Sequence, residues 1–140
     1  MSVWPEVRSE AAGFPGIEVL APHRCASLAA QFADAFVADR AMRWWWAALR
    51  ADVPTTSVAY GDADAWALVL QWLPEERSLV LLVTDEEAVP AGGVKGATAD
   101  LAELVAGCPY FEYVVTDDAA SFGIFDTHHN ELIRVGPLPD

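Results

Sequence analysis

Apolar positions change period several times along the chain, and each change marks a different kind of element. Over residues 24–40, Leu28, Phe32 and Phe36 recur every fourth position while Gln31, Asp34 and Asp39 fall between them, the spacing of a helix with one buried face. Residues 41–50 continue in helix-forming types, and Val53-Pro54 stops them, because a residue before proline is pushed out of the helical region. Residues 55–60 read as a strand. Asp62 and Asp64 suit a helix start, Trp66, Val69, Leu70 and Leu73 follow at i, i+3, i+4 and i+7, and Pro74 closes that element. Residues 78–84 hold five consecutive aliphatic side chains, a run that predicts a central strand covered on both faces.

Residues 85–96 read as a polar, glycine-rich connection. Thr98 is a plausible N-cap for a helix that carries Leu101, Leu104 and Val105 on one face and stops at Gly107. Aromatic and β-branched residues then dominate 110–116, 122–127 and 132–135, separated by 117–121 and 128–130, which predicts two successive hairpins. Pro5, Gly13, Pro15, Gly16 and Pro22 crowd the start, so residues 1–22 are expected to be irregular, with room for a short edge strand at 17–20. The fold class expected is α+β: a two-layer sandwich whose mixed sheet ends in a three-strand antiparallel meander packed by helices. With no repeat or linker composition, residues 1–140 are expected to form a single domain.

Composition narrows function more than fold. The chain has 140 residues, 54% hydrophobic and 21% charged, and 21 Asp plus Glu against 8 Lys plus Arg give a formal charge of −13. Such a field repels phosphate backbones and anionic lipid surfaces, so neither nucleic acid nor membrane is an expected partner. No apolar run is long enough to span a bilayer, and the first residues have no basic-then-apolar leader pattern, so a cytoplasmic location is expected. Cys25 and Cys108 form no CxxC pair and read as small buried apolar residues.

Trp44-Trp45-Trp46 is the least ordinary feature. On a helix, three neighbours sweep roughly 200° of the circumference, so at least one ring should reach the surface or a groove, as interface anchors do. His128-His129, following Asp126, invites a metal or acid–base reading, yet neighbours on a strand face opposite sides and no H-x-x-x-H spacing is present. No metal or cofactor is expected. Cys108, Ser57, Ser78 and Ser121 lack any motif that would make a nucleophile, and Gly92-Gly93-Val94-Lys95-Gly96 lacks the order of a phosphate loop. Acidic groups at 62 and 64, 75 and 76, 85–87, and 117 and 118 fall at expected element ends, where they either confer solubility or steer a basic partner.

Tyr110-Phe111-Glu112-Tyr113-Val114-Val115 and Thr127-His128-His129-Asn130-Glu131-Leu132-Ile133, with the upstream tryptophan block, resemble an uncharacterised family of small bacterial proteins that carries an F-E-Y-Y strand and an N-H-H-D-x-L turn. Its members look like accessory and immunity proteins of toxin loci. Thr127 stands where that family has Asn, and Asn130 where it has Asp, and the resemblance carries over no catalytic residue.

The leading expectation is a non-enzymatic acidic binding protein, an immunity protein that neutralises a cognate toxin by occluding a basic site. Trp44, Trp45 or Trp46 would supply the apolar anchor, and Glu112, Asp117, Asp118, His128 and His129 a polar rim. Two alternatives stand beside it. One is an enzyme using His128 or His129 as acid–base residue with Glu112 or Asp126, which requires a concave site around them. The other is an adaptor that dimerises through its tryptophans.

Overall fold

Leu79, Val80, Leu81, Leu82 and Val83 are all buried, and alternate members feed two different apolar clusters, one on each face of a sheet. The computed structural model describes residues 3–84 and 89–138. Among the described residues the order is α1 (Trp4–Ala11), β1 (Glu18–Val19), α2 (Pro22–Phe36), a single 3₁₀ turn (Trp45–Ala47), β2 (Thr55–Ala59), α3 (Ala65–Trp72), β3 (Ser78–Val83), β4 (Gly92–Ala97), α4 (Thr98–Ala106), β5 (Tyr113–Thr116), β6 (Gly123–Thr127) and β7 (Glu131–Val135). The strands form one sheet in the order β1-β4-β3-β5-β6-β7-β2.

The α+β sandwich expected from the pattern is the architecture found, and β5-β6-β7 is the expected meander. Two details differ. Every neighbouring pair is antiparallel, so the sheet is not mixed, because no helix serves as a crossover between adjacent parallel strands. Helices also cover both faces rather than one. Val7 and Ala11 of α1, Trp66 and Val69 of α3, and Leu101 and Leu104 of α4 pack on one side with Leu79, Leu81, Tyr113, Val115, Ile124 and Leu132. On the other, Leu28, Phe32 and Phe36 of α2 and the ring of Trp45 pack on Val80, Leu82, Val114, Phe125, Ile133 and Val135.

Three local expectations are corrected. Residues 1–22 are not irregular throughout, because Pro5 sits in the first turn of α1, where its missing N–H costs nothing, and the helix ends before Gly13. The edge strand expected at 17–20 is β1. Helix α2 stops at Phe36, short of residue 40, and residues 41–50 are not helical beyond the 3₁₀ turn. Asp39 Oδ1 accepts from the Ala41 N–H at 3.1 Å, a local turn that competes with helix. Ala38 N–H bonds Ala48 O (2.8 Å) and Arg50 N–H bonds Phe36 O (2.8 Å), folding the segment back on itself.

Within the connection expected at 85–96, residues 92–96 belong to strand β4, and its three carboxylates, Asp85, Glu86 and Glu87, lie outside the described residues. The glycines belong to the strand because side chains from the N-terminal residues press on it: a Cβ at Gly92 would lie 2.2 Å from the Trp4 ring, and one at Gly96 3.0 Å from Ile17. Thr98 does not cap α4 with its side chain. It is buried, and its Oγ1 donates to Arg77 O at 3.1 Å, while Gly107 ends that helix as expected.

Candidate functional site

One end of the sheet, where β3 and β6 finish and β5 and β7 begin, gathers most of the residues singled out above. The β6–β7 connection is a three-residue turn. Asn130 N–H donates to Thr127 O (3.2 Å) and His129 N–H to Thr127 Oγ1 (3.2 Å), while Asn130 takes a left-handed conformation (φ 54°) that asparagine tolerates better than most residues. The turn therefore presents His128 and His129 side by side, ring centroids 4.0 Å apart, rather than on opposite faces as a continued strand would.

Glu112 lies under this turn at 3% exposure. Its Oε2 accepts from the His128 backbone N–H at 2.7 Å and meets His128 Nδ1 at 2.9 Å. Against a carboxylate the Nδ1 must carry the proton, so the ring is oriented and its Nε2 edge faces away from Glu112. The backbone carbonyl of Glu112 accepts from Thr84 N–H (3.2 Å), which ties the carboxylate to the end of β3.

The tryptophans divide by alternation. Trp44 is extended (φ −114°, ψ 107°) and Trp45 and Trp46 open the 3₁₀ turn, so the change of backbone conformation after Trp44 sends Trp45 inward while the rings of Trp44 and Trp46 meet outside it. Trp45 is buried, stacked 6.0 Å from Phe32, and its Nε1 donates to Arg40 O (3.4 Å). It is core, not an anchor. Trp44 and Trp46 are half-buried, stack on each other at 6.0 Å, and flank the imidazoles: Trp44 to His128 5.3 Å, Trp46 to His128 5.5 Å and to His129 5.8 Å. Both their indole N–H groups are buried without a partner among the described residues.

The opposite face at the same end holds a second buried carboxylate. Asp126, 4% exposed, accepts from Tyr60 Oη at 2.5 Å. It sits across from Tyr113, whose hydroxyl lies close to Asp126 and Trp66 without forming a well-directed hydrogen bond, as does the Trp66 indole N–H. Burial raises the Asp126 carboxyl above its ordinary range; the Tyr60 and Tyr113 hydroxyls oppose that rise and the charge of Glu112 adds to it. Burial and then Asp126 push the Tyr60 hydroxyl up as well. Tyr60 was not singled out from sequence, because it meets Asp126 across 66 positions and no spacing signals such a pair.

A folded-state carboxyl pKa above the unfolded one means the native state holds the proton more firmly, so this group's contribution to stability falls as pH rises through the window above the ordinary Asp value. Tyr60→Phe removes a donor to Asp126 and is expected to cost about 1–2 kcal/mol at neutral pH. The loss should shrink on acidification as Asp126 becomes protonated. Urea denaturation of the variant and the parent chain between pH 4 and 7 checks this; a pH-independent gap contradicts it.

Asp117 and Asp118 are not part of this end. They follow β5 at its far terminus, and at about 3.3 Å per residue lie roughly 16 Å from Glu112 along the strand. Asp117 Oδ1 accepts from Ala119 and Ser121 N–H (3.1 and 2.9 Å), and Asp118 pairs with Lys95 (2.6 Å) and Arg24 (3.0 Å). The Lys95 ammonium, then the Arg24 guanidinium, hold the Asp118 carboxyl below its usual range. Both acids tie down their own turn and so leave the polar rim expected of them.

Cys25 is buried in the inner face of α2, and burial raises its thiol. Cys108 borders a cleft with Glu6 and Glu10, and burial followed by those two charges raises its thiol also. Neither is poised as a thiolate. Among the described residues no three His, Cys, Asp or Glu side chains converge as metal ligands, and no helix is long and apolar enough to cross a membrane. Five clefts on the described surface have neither imidazole nor Glu112 among their walls. Set against known protein families, curated proteins and solved structures, the chain matches none.

Proposed function

We propose that the chain is a non-enzymatic acidic binding protein that contacts a basic protein partner, in the manner of an immunity protein covering a toxin's basic site, through the aromatic end of its sheet. The observation that carries this reading is the seating of Trp44 and Trp46 against His128 and His129, with Glu112 fixing His128 from below. Two half-buried indoles on a turn held by directed hydrogen bonds form a rigid apolar centre, the kind of surface on which binding energy concentrates. A charge of −13 supplies long-range attraction for a cationic partner. With Asp117 and Asp118 at the other end of the sheet, the net field supplies the steering.

Affinity capture from the native cell, with the neighbouring reading frame co-expressed, is expected to return a stoichiometric basic protein. Its association rate should fall steeply with ionic strength, and Trp46→Ser should weaken the complex by about 2 kcal/mol, roughly 30-fold. A partner whose binding ignores both salt and Trp46, or no basic partner, overturns the reading.

A further inference from the structure

Strand β2 forms one border of the sheet and, among the described residues, pairs only with β7. Tyr60 N–H bonds Asn130 O and Gly136 N–H bonds Pro54 O, and both lie in register with the β2–β7 ladder. In an antiparallel pair, each residue turns its N–H and C=O together, alternately toward and away from its neighbour. Residues 54, 56, 58 and 60 therefore face β7, and Thr55, Ser57 and Ala59 direct their backbone groups outward, where none bonds to another described backbone group. The strand has no internal proline, lysine or bulge to blunt that edge, in contrast to β1, which is only two residues long.

Beside this open edge runs a cleft between β2 and α3, walled by Val58, Tyr60, Ala63, Ala67, Leu68 and Gln71. Val58 pairs with Leu132, so its side chain shares the face of the sheet that α3 covers. A strand laid along β2 would send alternate side chains toward this cleft. Asp64 lines the cleft beside Tyr60 and caps α3 by accepting from the Trp66 N–H through Oδ1, and Asp62, two residues before it, is exposed as well.

We infer that the edge of β2 and the β2–α3 cleft form a docking groove for an extended, basic segment of a partner protein, which adds as an eighth strand. Such a segment places an apolar side chain between Val58 and Ala67 and a lysine or arginine at the Asp62–Asp64 end. Charge selects this occupant over a second copy of the chain, since two molecules of charge −13 repel when aligned edge to edge, while main-chain pairing supplies affinity with little demand on sequence. The groove lies on the face of the sheet opposite Trp44 and Trp46, although its Tyr60 end adjoins the β6–β7 turn through Tyr60 N–H and Asn130 O, and the inference does not depend on the aromatic surface being used.

The probe is the blocked peptide Lys-Val-Thr-Val-Thr-Val-Lys, with a second peptide carrying Glu for both Lys. The lysine peptide is expected to slow amide exchange at Ser57 and Ala59 at least tenfold, and the glutamate peptide to bind at least tenfold more weakly. Ser57→Pro removes an outward N–H without touching the bonds to β7 and should abolish the protection at Ala59. Should that variant lose its fold, Ala67→Arg, which fills the cleft from the exposed face of α3 and leaves β2 untouched, serves in its place. Trp46→Ser should leave peptide binding unchanged, which separates this result from failure of the aromatic-end reading. No protection at Ser57 and Ala59, equal binding of the two peptides, or a dimer in sedimentation that Ser57→Pro dissolves would each overturn the inference.

Discussion

Phe32→Ala is expected to lower stability by about 3–5 kcal/mol. The ring is completely buried and is the hub of the α2 face. Its centroid lies 5.0 Å from Phe36, 5.8 Å from Phe125 edge-on, and 6.0 Å from Trp45 in a stack, so truncation removes aromatic pairing in addition to apolar area. Relaxation cannot close the hole easily, because Phe125 sits on β6, in the interior of the sheet, and Trp45 is fastened through its N–H to Arg40 O. The residue beneath the ring is Gly123, where a Cβ would come within 2.5 Å of Phe32 Cζ.

That contact couples the two positions. Gly123→Ala alone should be destabilising, and in the Phe32→Ala background its methyl enters vacated space, so the two changes should be strongly non-additive. Urea denaturation of the four proteins measures the coupling, with Phe32→Leu, at about 1–2 kcal/mol, as a milder member if alanine leaves too little folded protein. A cost for Phe32→Ala below 1 kcal/mol, or strict additivity with Gly123→Ala, would remove Phe32 from the centre of this face.

The helical face that contains Phe32 was legible in the sequence because its period survives in folded packing: Leu28, Phe32 and Phe36 are all buried. The run through Leu81 was equally legible, since a strand buried on both faces has no polar position to interrupt it. The glycines of β4 carried the opposite signal. Glycine reads as a loop residue from local preference, and only the Trp4 ring, delivered from 88 positions upstream, makes Gly92 a requirement of the strand. The tryptophan block shows a mixed outcome of the same kind. Three adjacent indoles could not all be buried, and two indeed remain half-buried, but the reason is an extended residue leading into a single 3₁₀ turn rather than rotation around an α-helix.

The candidate site was legible as residue types and not as an arrangement. Glu112 and His128 stand 16 positions apart and meet only because β5 and β6 pair as a hairpin; the expectation of that hairpin put them near each other without saying which carboxylate would lie beneath the turn. Asp117 and Asp118 looked equivalent to Glu112 by charge. Antiparallel topology sends them to the other end of the strand, where Lys95 and Arg24 neutralise one of them.

Glu112→Ala is expected to cost about 2–4 kcal/mol, because a buried carboxylate that accepts two bonds from one residue is replaced by a methyl group, and the His128 N–H groups must find water instead. Solvent reaches the His128 ring, one-third exposed on its side chain, which keeps the loss below that of Phe32→Ala. Glu112→Gln keeps an oxygen at the same place and should recover more than half of the difference. The effect should spread along two identifiable contacts. Since His128 packs 5.3 and 5.5 Å from Trp44 and Trp46, its release should change indole fluorescence in both variants, more in the alanine one. Since the negative charge of Glu112 contributes to the raised Asp126 carboxyl, either substitution should bring that carboxyl back down toward its ordinary range, as followed by carbon NMR through an acid titration. With a lower folded-state pKa, the stability that Asp126 withholds on going to neutral pH becomes smaller, so the loss in both variants should be slightly less at pH 7 than at pH 5. Unchanged fluorescence together with an unmoved Asp126 titration would mean that Glu112 neither positions His128 nor couples the two faces of this end of the sheet.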